Sequence, residues 1–188
     1  GHWPDTGGMV PGGFSSAATE IQQEGLRLPP VKLFRRGEIE GDILEILLAN
    51  IRVPDERIGD IRAQVGALSV GEKRLTALLD KYGETTVSAA IEMLKDRSEQ
   101  RMRAHIASIP DGTYAFSSYM DSDGVDDAEL EVRANTTVKG NDILIDFAGS
   151  SLPCQGPVNS VWATTLASVY CAIKHIFPDV PINAGCFR

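Results

Sequence analysis

The hydrophobic period of the chain changes near its middle, and this change constrains the fold more than any other feature. Between residues 39 and 108, apolar residues recur every three or four positions opposite charged ones, which predicts amphipathic helices. From residue 113 to residue 147, apolar residues alternate instead, which predicts the strands of an antiparallel meander. Helices followed by strands indicate an α+β fold, in which the meander packs with three to four amphipathic helices.

The chain is predicted to be one fragment of a single domain with three stretches. Residues 1–38 are rich in Gly and Pro and are expected to form coil and short strands, residues 39–108 are helical, and residues 113–188 hold the meander and a C-terminal helix. That helix is predicted over residues 160–177, with Asn159 as a good N-cap residue. It is expected to bury one apolar face, which carries Trp162, Leu166, Val169, Ile173 and Ile176.

Composition argues against several classes of function. The 188 residues carry a net charge of −8, which argues against a nucleic-acid partner because phosphates attract clustered Lys and Arg. No apolar run approaches the roughly 20 residues of a membrane-spanning helix, so no membrane partner is expected. The three cysteines form no C-x-x-C pair, which argues against a disulfide framework or structural zinc site and favours a cytoplasmic location. Cys171 is expected to be a core residue.

The run from His2 to Gly13 combines two potential metal ligands with several glycines. The imidazole of His2 and the carboxylate of Asp5 suit a divalent metal. Gly7 and Gly8 allow backbone to approach a substrate closely. A catalytic metal needs about three protein ligands, so at least one more must come from elsewhere. On spacing alone, a polar loop without a metal is the favoured alternative.

Further polar residues are candidate site components. Asp60 and Gln64 lie four positions apart on one helix face and predict, with equal weight, the wall of a buried site or a close helix crossing. Asn159 precedes a predicted helix N-terminus, whose N–H groups favour an anionic group, although an ordinary capped connection is the favoured alternative. The acidic run from Asp121 to Asp127 fails the EF-hand pattern and predicts a hairpin loop.

Seven short motifs follow one another over nearly the whole chain. They are His2-Trp3-x-Asp5-x-Gly7-Gly8-x-x-Pro11-Gly12, Glu24-Gly25-Leu26-x-x-Pro29-Pro30-x-Lys32-Leu33, Gly59-Asp60-x-x-Ala63-Gln64, Ile109-Pro110-Asp111-Gly112-x-Tyr114, Asp146-Phe147-x-Gly149-Ser150, Gly156-Pro157-x-Asn159 and Pro181-x-Asn183-x-Gly185. In this order the motifs resemble the hydantoinase B/oxoprolinase family. Two positions depart from its pattern, because Gly13 stands where a Ser usually follows Pro-Gly and Ser150 stands where Thr is expected.

The resemblance implies part of the B-type subunit of an ATP-dependent enzyme that opens cyclic amides such as hydantoins or 5-oxoproline. A hydantoinase A-type partner subunit would bind ATP and phosphorylate the substrate. The sequence has no Walker A or G-x-G-x-x-G motif, so no nucleotide is expected to bind here. His2 and Asp5 match the family's metal-ligand run, with at least one further ligand expected upstream. The chain is then an inner portion of a larger oligomeric subunit, inactive by itself.

The resemblance also implies roles for the other candidates. Asp60 is the candidate proton acceptor or substrate-positioning group. The candidate substrate-binding residues are Gly7, Gly8, Gln64 and Asn159. One alternative is a structural docking module for the A-type partner, and another is a component of a related ATP-dependent ketone carboxylase.

Overall fold

The structure, a computed structural model, describes residue 3 and residues 5–188. The chain folds as two compact units. The first comprises the residues up to Leu75 together with residues 123–127 and 154–157, and the second comprises residues 76–122, 128–153 and 158–188. Within the described part of the chain, no helix is both long enough and apolar enough to cross a membrane.

The first unit builds its core around one helix and the start of another. β1 (Phe34–Arg35) and β2 (Glu38–Ile39) form a two-stranded antiparallel hairpin that leads into α1 (Gly41–Ala49). α2 (Pro54–Tyr82) begins in this unit with a proline, which is favoured in the first helical turn because its missing N–H needs no partner there. The buried core consists of Leu47, Ile51 and Ile61, and the partly buried side chains packed on it are Trp3, Leu26, Leu33, Leu44, Leu48 and Val65.

The second unit combines a sheet with two helices. Its elements are α3 (Glu84–Ile106), β3 (Gly112–Met120), β4 (Leu130–Lys139), β5 (Asp142–Asp146), α4 (Trp162–Ile176) and a C-terminal 3-10 turn (Ala184–Phe187). The strands pair antiparallel in the order β3-β4-β5, with Tyr114 opposite Thr136 and Thr136 opposite Ile145. The buried core consists of Met102, Ile106, Val138, Val180 and Cys186.

Helices and antiparallel strands together confirm the predicted α+β fold and its meander. The change of hydrophobic period falls between α3 and β3, where Pro110 and Asp111 separate the helix from the sheet. The acidic run from Asp121 to Asp127 lies between β3 and β4, as predicted for a hairpin loop.

The C-terminal helix departs from its prediction at its start and in its burial. Val161 has extended backbone and is the N-cap residue of α4, so Asn159 lies two positions before the cap and the prediction that it caps the helix is wrong. Trp162 is 77% exposed and Ile176 is 65% exposed, against the prediction that both are buried. For Trp162 the physical reason is that this end of the helix borders an open cavity of about 340 Å³ rather than a filled core. Cys171 is likewise exposed and is not a core residue.

Candidate functional site

Residues 5–13 form a loop, the N-terminal loop, that closes on the carboxylate of Asp5. The Gly12 amide donates to Asp5 Oδ2 at 2.9 Å, and the Asp5 amide donates to the Gly12 carbonyl at 3.3 Å. Asp5 has a left-handed backbone with a φ of 57°, a conformation that Asp tolerates better than most residues. This pair of hydrogen bonds gives the carboxylate a defined orientation within the loop.

Arg52, between α1 and α2, holds the N-terminal loop through its guanidinium. Nη1 donates to Asp5 Oδ1 at 2.7 Å and to the Val10 carbonyl at 2.9 Å. Nη1 also contacts the Gly7 carbonyl at 3.2 Å, and Nη2 donates to the Gly8 carbonyl at 2.6 Å. A guanidinium carries five N–H donors in a planar fork, which suits several acceptors at once. Arg52 therefore ties the Asp5 carboxylate to the backbone of the two neighbouring glycines.

The two adjacent glycines pack against backbone of the same unit. Gly8 has a φ of 88°, and a Cβ there would lie 2.7 Å from the Gln23 carbonyl oxygen. The Met9 amide donates to that same carbonyl at 2.8 Å. A Cβ at Gly7 would lie 2.8 Å from the Asn50 carbonyl oxygen. Side chains at either position would push these segments apart, so the chain's own packing already requires glycine. Approach of a substrate to this backbone stays a prediction.

The Asp5 carboxylate fits the role of one metal ligand. The Gly12 amide, followed by the Arg52 guanidinium, lowers the pKa of Asp5, so the side chain is ionised at neutral pH. Each carboxylate oxygen keeps a lone pair beyond the one its donor uses, so a cation that prefers oxygen can still bind. His2 lies outside the described residues. Among residues 3 and 5–188, no three His, Cys, Asp or Glu side chains gather into a metal site, so a metal at Asp5 would need additional ligands.

Asp60 pairs with a buried arginine on its own helix. Arg57 is 3% exposed, and its Nη1 lies 2.7 Å from Asp60 Oδ2. This contact is an ion pair whose angle falls outside hydrogen-bond geometry, and Arg57 Nε has no hydrogen-bond partner within the part of the chain that the structure describes. Asp60 thus compensates a buried positive charge, which is costly without a nearby anion. Gln64, one turn further along α2, is exposed.

The predicted site residues are divided between the two units. Those in the first unit are Asp5, Gly7, Gly8, Asp60 and Gln64. Trp3 packs against the core cluster that contains Ile61, so the first motif and α2 share one core. Asn159 belongs to the second unit, where it is exposed in the loop before α4. Asp5 and Asp60 therefore have a common scaffold but different charged partners.

The last motif, Pro181-x-Asn183-x-Gly185, forms a packed contact in the second unit. Asn183 caps the 3-10 turn, since its Oδ1 accepts from the Gly185 amide at 2.8 Å. Asn183 Nδ2 donates at 2.8 Å to Oγ of Ser98, which is 2% exposed on α3. A Cβ at Gly185 would lie only 2.0 Å from the Lys95 carbonyl oxygen. This motif therefore docks the C-terminal turn on α3.

The acidic hairpin loop contains a buried carboxylate that belongs to the first unit. Asp123 is 3% exposed, and its Oδ1 accepts from the amides of Val125 at 2.8 Å and Asp126 at 2.7 Å. Asp123 Oδ2 accepts from the Gly156 amide at 2.8 Å. These backbone donors, with Asp126 first, lower the pKa of Asp123 to about 2. The carboxylate thereby joins residues 123–127 to residues 154–157.

Sequence reasoning singled out neither Arg52 nor Arg57, and it did not separate Asp123 from the acidic residues around it. Arg52 lies outside the motifs, and its partners Asp5 and Val10 lie 47 and 42 positions earlier, so no local pattern reports the contact. Asp123 carried a usable signal, because Asp followed by Gly is typical of a turn in which the carboxylate accepts backbone N–H groups.

Comparison with known proteins agrees with the motifs. A sequence model of the hydantoinase B/oxoprolinase family matches residues 1–188. The chain is 39% identical over 194 residues to the beta subunit of caprolactamase from Pseudomonas jessenii, covering 100% of this chain and 32% of that protein. The crystal structure of the ATP-dependent caprolactamase from the same organism matches with a TM-score of 0.87 at 36% identity, covering 100% of this chain and 32% of that one.

A more distant relative comes from a different reaction class. The delta subunit of acetophenone carboxylase from Aromatoleum aromaticum is 24% identical over 189 residues, covering 99% of this chain and 28% of that protein. The chain thus spans 32% of the length of the caprolactamase subunit and 28% of the length of the acetophenone carboxylase subunit. Both relatives are named as subunits, which indicates that they act with partner chains. The match over all residues shows that the chain belongs to the hydantoinase B/oxoprolinase family.

Proposed function

We propose that this chain is part of the B-type subunit of an ATP-dependent hydrolase that opens cyclic amides, such as hydantoin or 5-oxoproline rings. The family match and the caprolactamase relative support an amide as the substrate class. Because the chain spans 32% of that relative, the activity is assigned to the complete subunit, to which this chain contributes part of the site.

The observation that carries the proposal is the ionised and oriented carboxylate of Asp5. Gly12 and Arg52 each bind one of its oxygens, and the loop around it, residues 5–13, contains most of the first motif of the family resemblance. Asp5 together with His2 would hold a divalent metal, which when bound would activate water or polarise the substrate carbonyl. The chain's own contribution is to keep the carboxylate charged and in one orientation.

The remaining candidates receive roles in binding and proton transfer. The side chain of Asp60 is 40% exposed, so it can reach a substrate and accept a proton. Gln64, exposed one turn along the same helix, would position the amide of the ring. Backbone at Gly7 and Gly8 would form one wall of the site. Asn159 would bind a carboxylate or phosphorylated group.

The proposed reaction needs a second subunit of the hydantoinase A type, which would bind ATP and phosphorylate the substrate. The subunit designation of the caprolactamase relative supports such a hetero-oligomer. We place the complex in the cytoplasm, because free cysteines, which this chain has at three positions, are the rule in a reducing compartment.

Asp5→Asn in the complete subunit, assembled with its A-type partner, tests this function. The variant keeps the size of the side chain and removes its charge. We expect ATP-dependent hydrolysis of a panel containing a hydantoin, 5-oxoproline and caprolactam to fall by about 100-fold or more. Bound divalent metal, measured by elemental analysis, should fall in parallel.

Asp80→Asn is the matched control, because Asp80 is exposed on α2 and lies outside every motif. It should keep both hydrolysis and metal content. If Asp5→Asn and Asp80→Asn show the same hydrolysis rate and the same metal content, Asp5 is not part of the site. A complete wild-type enzyme that hydrolyses no member of the panel would reject the cyclic-amide assignment.

A ketone carboxylase component is the second candidate, and the acetophenone carboxylase relative favours it. ATP-dependent incorporation of labelled bicarbonate into acetophenone, without ring opening of the amide panel, would select this function. A docking module is the third candidate, favoured by exposed apolar side chains of α2, namely Leu68, Val70, Leu75, Leu78 and Tyr82. A chain that only docks would keep full turnover in Asp5→Asn.

A further inference from the structure

We infer that Arg52 is a positioning residue for the site at the N-terminal loop, where it sets the orientation of Asp5 and of the backbone at Gly7 and Gly8. This inference rests on the proposed function, and it adds a residue that lies outside every motif of the family resemblance. Among the described residues, Arg52 forms an ion pair with Asp5 and with no other side chain. Its guanidinium is committed to the loop alone among the contacts described.

The loop needs an external anchor because its own conformation is unfavourable. Asp5 has a φ of 57°, a left-handed conformation that residues other than glycine seldom adopt. Such a conformation persists where surrounding contacts over-determine it. Few hydrogen bonds close the loop on itself, among them the Gly12 amide to Asp5 and the Gly13 amide to the Val10 carbonyl. Arg52 supplies four contacts from outside the loop.

The planar guanidinium of Arg52 makes contacts that a lysine side chain could not all replace. Two nitrogens of one planar guanidinium reach acceptors on Asp5, Val10 and the glycine pair. Three of these contacts come from Nη1, and the contact to the Gly8 carbonyl comes from Nη2. Lysine carries its donors on a single nitrogen, so it cannot reproduce the contacts of both nitrogens at once. An ammonium group would keep the charge beside Asp5 but lose contacts to the carbonyls. Arg52→Lys therefore separates the effect of geometry from the effect of charge.

Arg52 also fixes the direction in which Asp5 can bind a further cation. With Oδ1 bound to Arg52 and Oδ2 bound to Gly12, the carboxylate plane cannot rotate without breaking both contacts. Residues that orient a metal ligand in this way change metal affinity or activity by about 10- to 100-fold when replaced. The arginine is 38% exposed, so a small soluble guanidine can reach the space that a truncated side chain leaves.

The test compares Arg52→Ala, Arg52→Lys and the control Arg35→Ala in the complete subunit assembled with its partner. Arg35 also pairs with a carboxylate, that of Glu40 at 2.5 Å, but outside the N-terminal loop. The readouts are kcat and KM on the cyclic amide, zinc retained after dialysis against a chelator, and hydrogen exchange of the loop amides of Met9, Gly12 and Gly13.

We expect both Arg52 variants to lower kcat by about 10- to 100-fold with a smaller change in KM, since the loop is displaced rather than removed. Exchange at the loop amides should accelerate and retained zinc should fall. Ethylguanidine added to Arg52→Ala should restore part of the kcat, and Arg35→Ala should match the wild type. Rescue by a soluble guanidine is a response that a general loss of stability would not give.

Unchanged kcat and unchanged loop exchange in Arg52→Ala would overturn the inference. If Arg52→Ala fails to fold, Arg52→Lys with wild-type kcat and exchange would overturn it equally. If the wild-type enzyme is inactive on cyclic amides, the proposed function is rejected but this inference is not. Hydrogen exchange and zinc retention measure the order of the loop independently of turnover.

Discussion

The N-terminal loop and the C-terminal 3-10 turn both contain glycine motifs of the family, yet they are held in opposite ways. Gly8 and Gly185 each face a backbone carbonyl, at 2.7 Å and 2.0 Å from an added Cβ. Around Gly8, the anchor is an exposed guanidinium bound to a carboxylate. Around Gly185, the anchor is a neutral amide bonded to the buried hydroxyl of Ser98. Glycine marks close backbone packing in both regions, and the neighbouring charge distinguishes a candidate site from a structural contact.

The C-terminal turn should contribute more to stability than the N-terminal loop, because it packs in the core of its unit. Val180 and Cys186, which flank the C-terminal motif, are 1% and 2% exposed and belong to the buried core of their unit. The N-terminal loop is held mainly by polar contacts, with Met9 and Pro11 exposed. Regions with few buried apolar contacts open more readily, and binding loops are drawn from such regions. Substitutions at the C-terminal motif should therefore affect unfolding, and those at the N-terminal loop should affect activity.

The largest expected effect on stability is that of Gly185→Ala. The new methyl group would overlap the Lys95 carbonyl, and backbone cannot rotate away as a side-chain tip can. We expect the free energy of unfolding of the complete subunit to fall by about 3 kcal/mol, at the upper end for overpacking. Urea denaturation followed by circular dichroism measures the change.

Gly71→Ala is the control for this substitution, because Gly71 lies within α2 and has open space around it. Alanine there should raise the free energy of unfolding by about 0.5–1 kcal/mol, since it is the better helix former. If Gly185→Ala proves as stable as the wild type, the contrast between the two glycine motifs fails.

A smaller effect is expected from Ser98→Ala, which removes the neutral anchor of the C-terminal turn. The Asn183 side-chain amide would lose its acceptor at a partly buried site. Leaving such a donor unpaired should cost about 1–2 kcal/mol of unfolding free energy, with little change in kcat. Ser69→Ala, on the exposed face of α2, should change stability by less than about 0.5 kcal/mol. A loss of kcat in Ser98→Ala larger than its loss of stability explains would assign function to this region as well.

The smallest expected effect is a loss of hydrogen-exchange protection at low pH. It is measured at two backbone amides whose hydrogen bonds have the same length. The Gly156 backbone amide donates to Oδ2 of the Asp123 carboxylate. The Gly185 backbone amide donates to the neutral side-chain oxygen Oδ1 of Asn183, and both distances are 2.8 Å. The pKa of Asp123 is lowered from 3.8 to about 2, so its stabilising contribution is complete above pH 4 and is lost as the pH falls towards 2. Hydrogen-exchange protection of Gly156 should decline between pH 4 and pH 2, while that of Gly185 declines less.

Asp123→Asn is the decisive variant for this comparison. It should lower protection at Gly156 already at pH 7, because the amide side chain has one acceptor oxygen where the carboxylate uses two. Protection of the Gly156 amide should then vary less with pH in this variant than in the wild type. Parallel loss of protection at Gly156 and Gly185 in both proteins would show that acid opens the structure globally rather than at this carboxylate.

Much of the fold was accessible to sequence reasoning because its signals are local. The alternation of apolar residues predicted β3, β4 and β5, and a tight turn near Gly140 joins the last two strands. The burial of α4 was not accessible in the same way. Its apolar face is plain in the sequence, but whether Trp162 is covered depends on elements that reach it from elsewhere.

The candidate site likewise has some features with a local sequence signal and others that depend on tertiary contacts. The residues around Asp5 were marked by residue type, since a carboxylate beside glycines is typical of a ligand loop. Asp60 was marked by its spacing from Gln64, but its partner proved to be Arg57, which the pattern did not indicate. A buried arginine on a polar helix face looks like any other charged residue until the helix is packed.

The sequence by itself determined the α+β class and the meander, because helix and strand periods are properties of neighbouring residues. Only the tertiary structure decided which partner each charged side chain meets. Arg52 binds Asp5 across 47 positions, and Asp123 binds Gly156 across 33. Such contacts form because the chain folds these segments together, and the strength of an ion pair depends on distance and burial that no local pattern encodes.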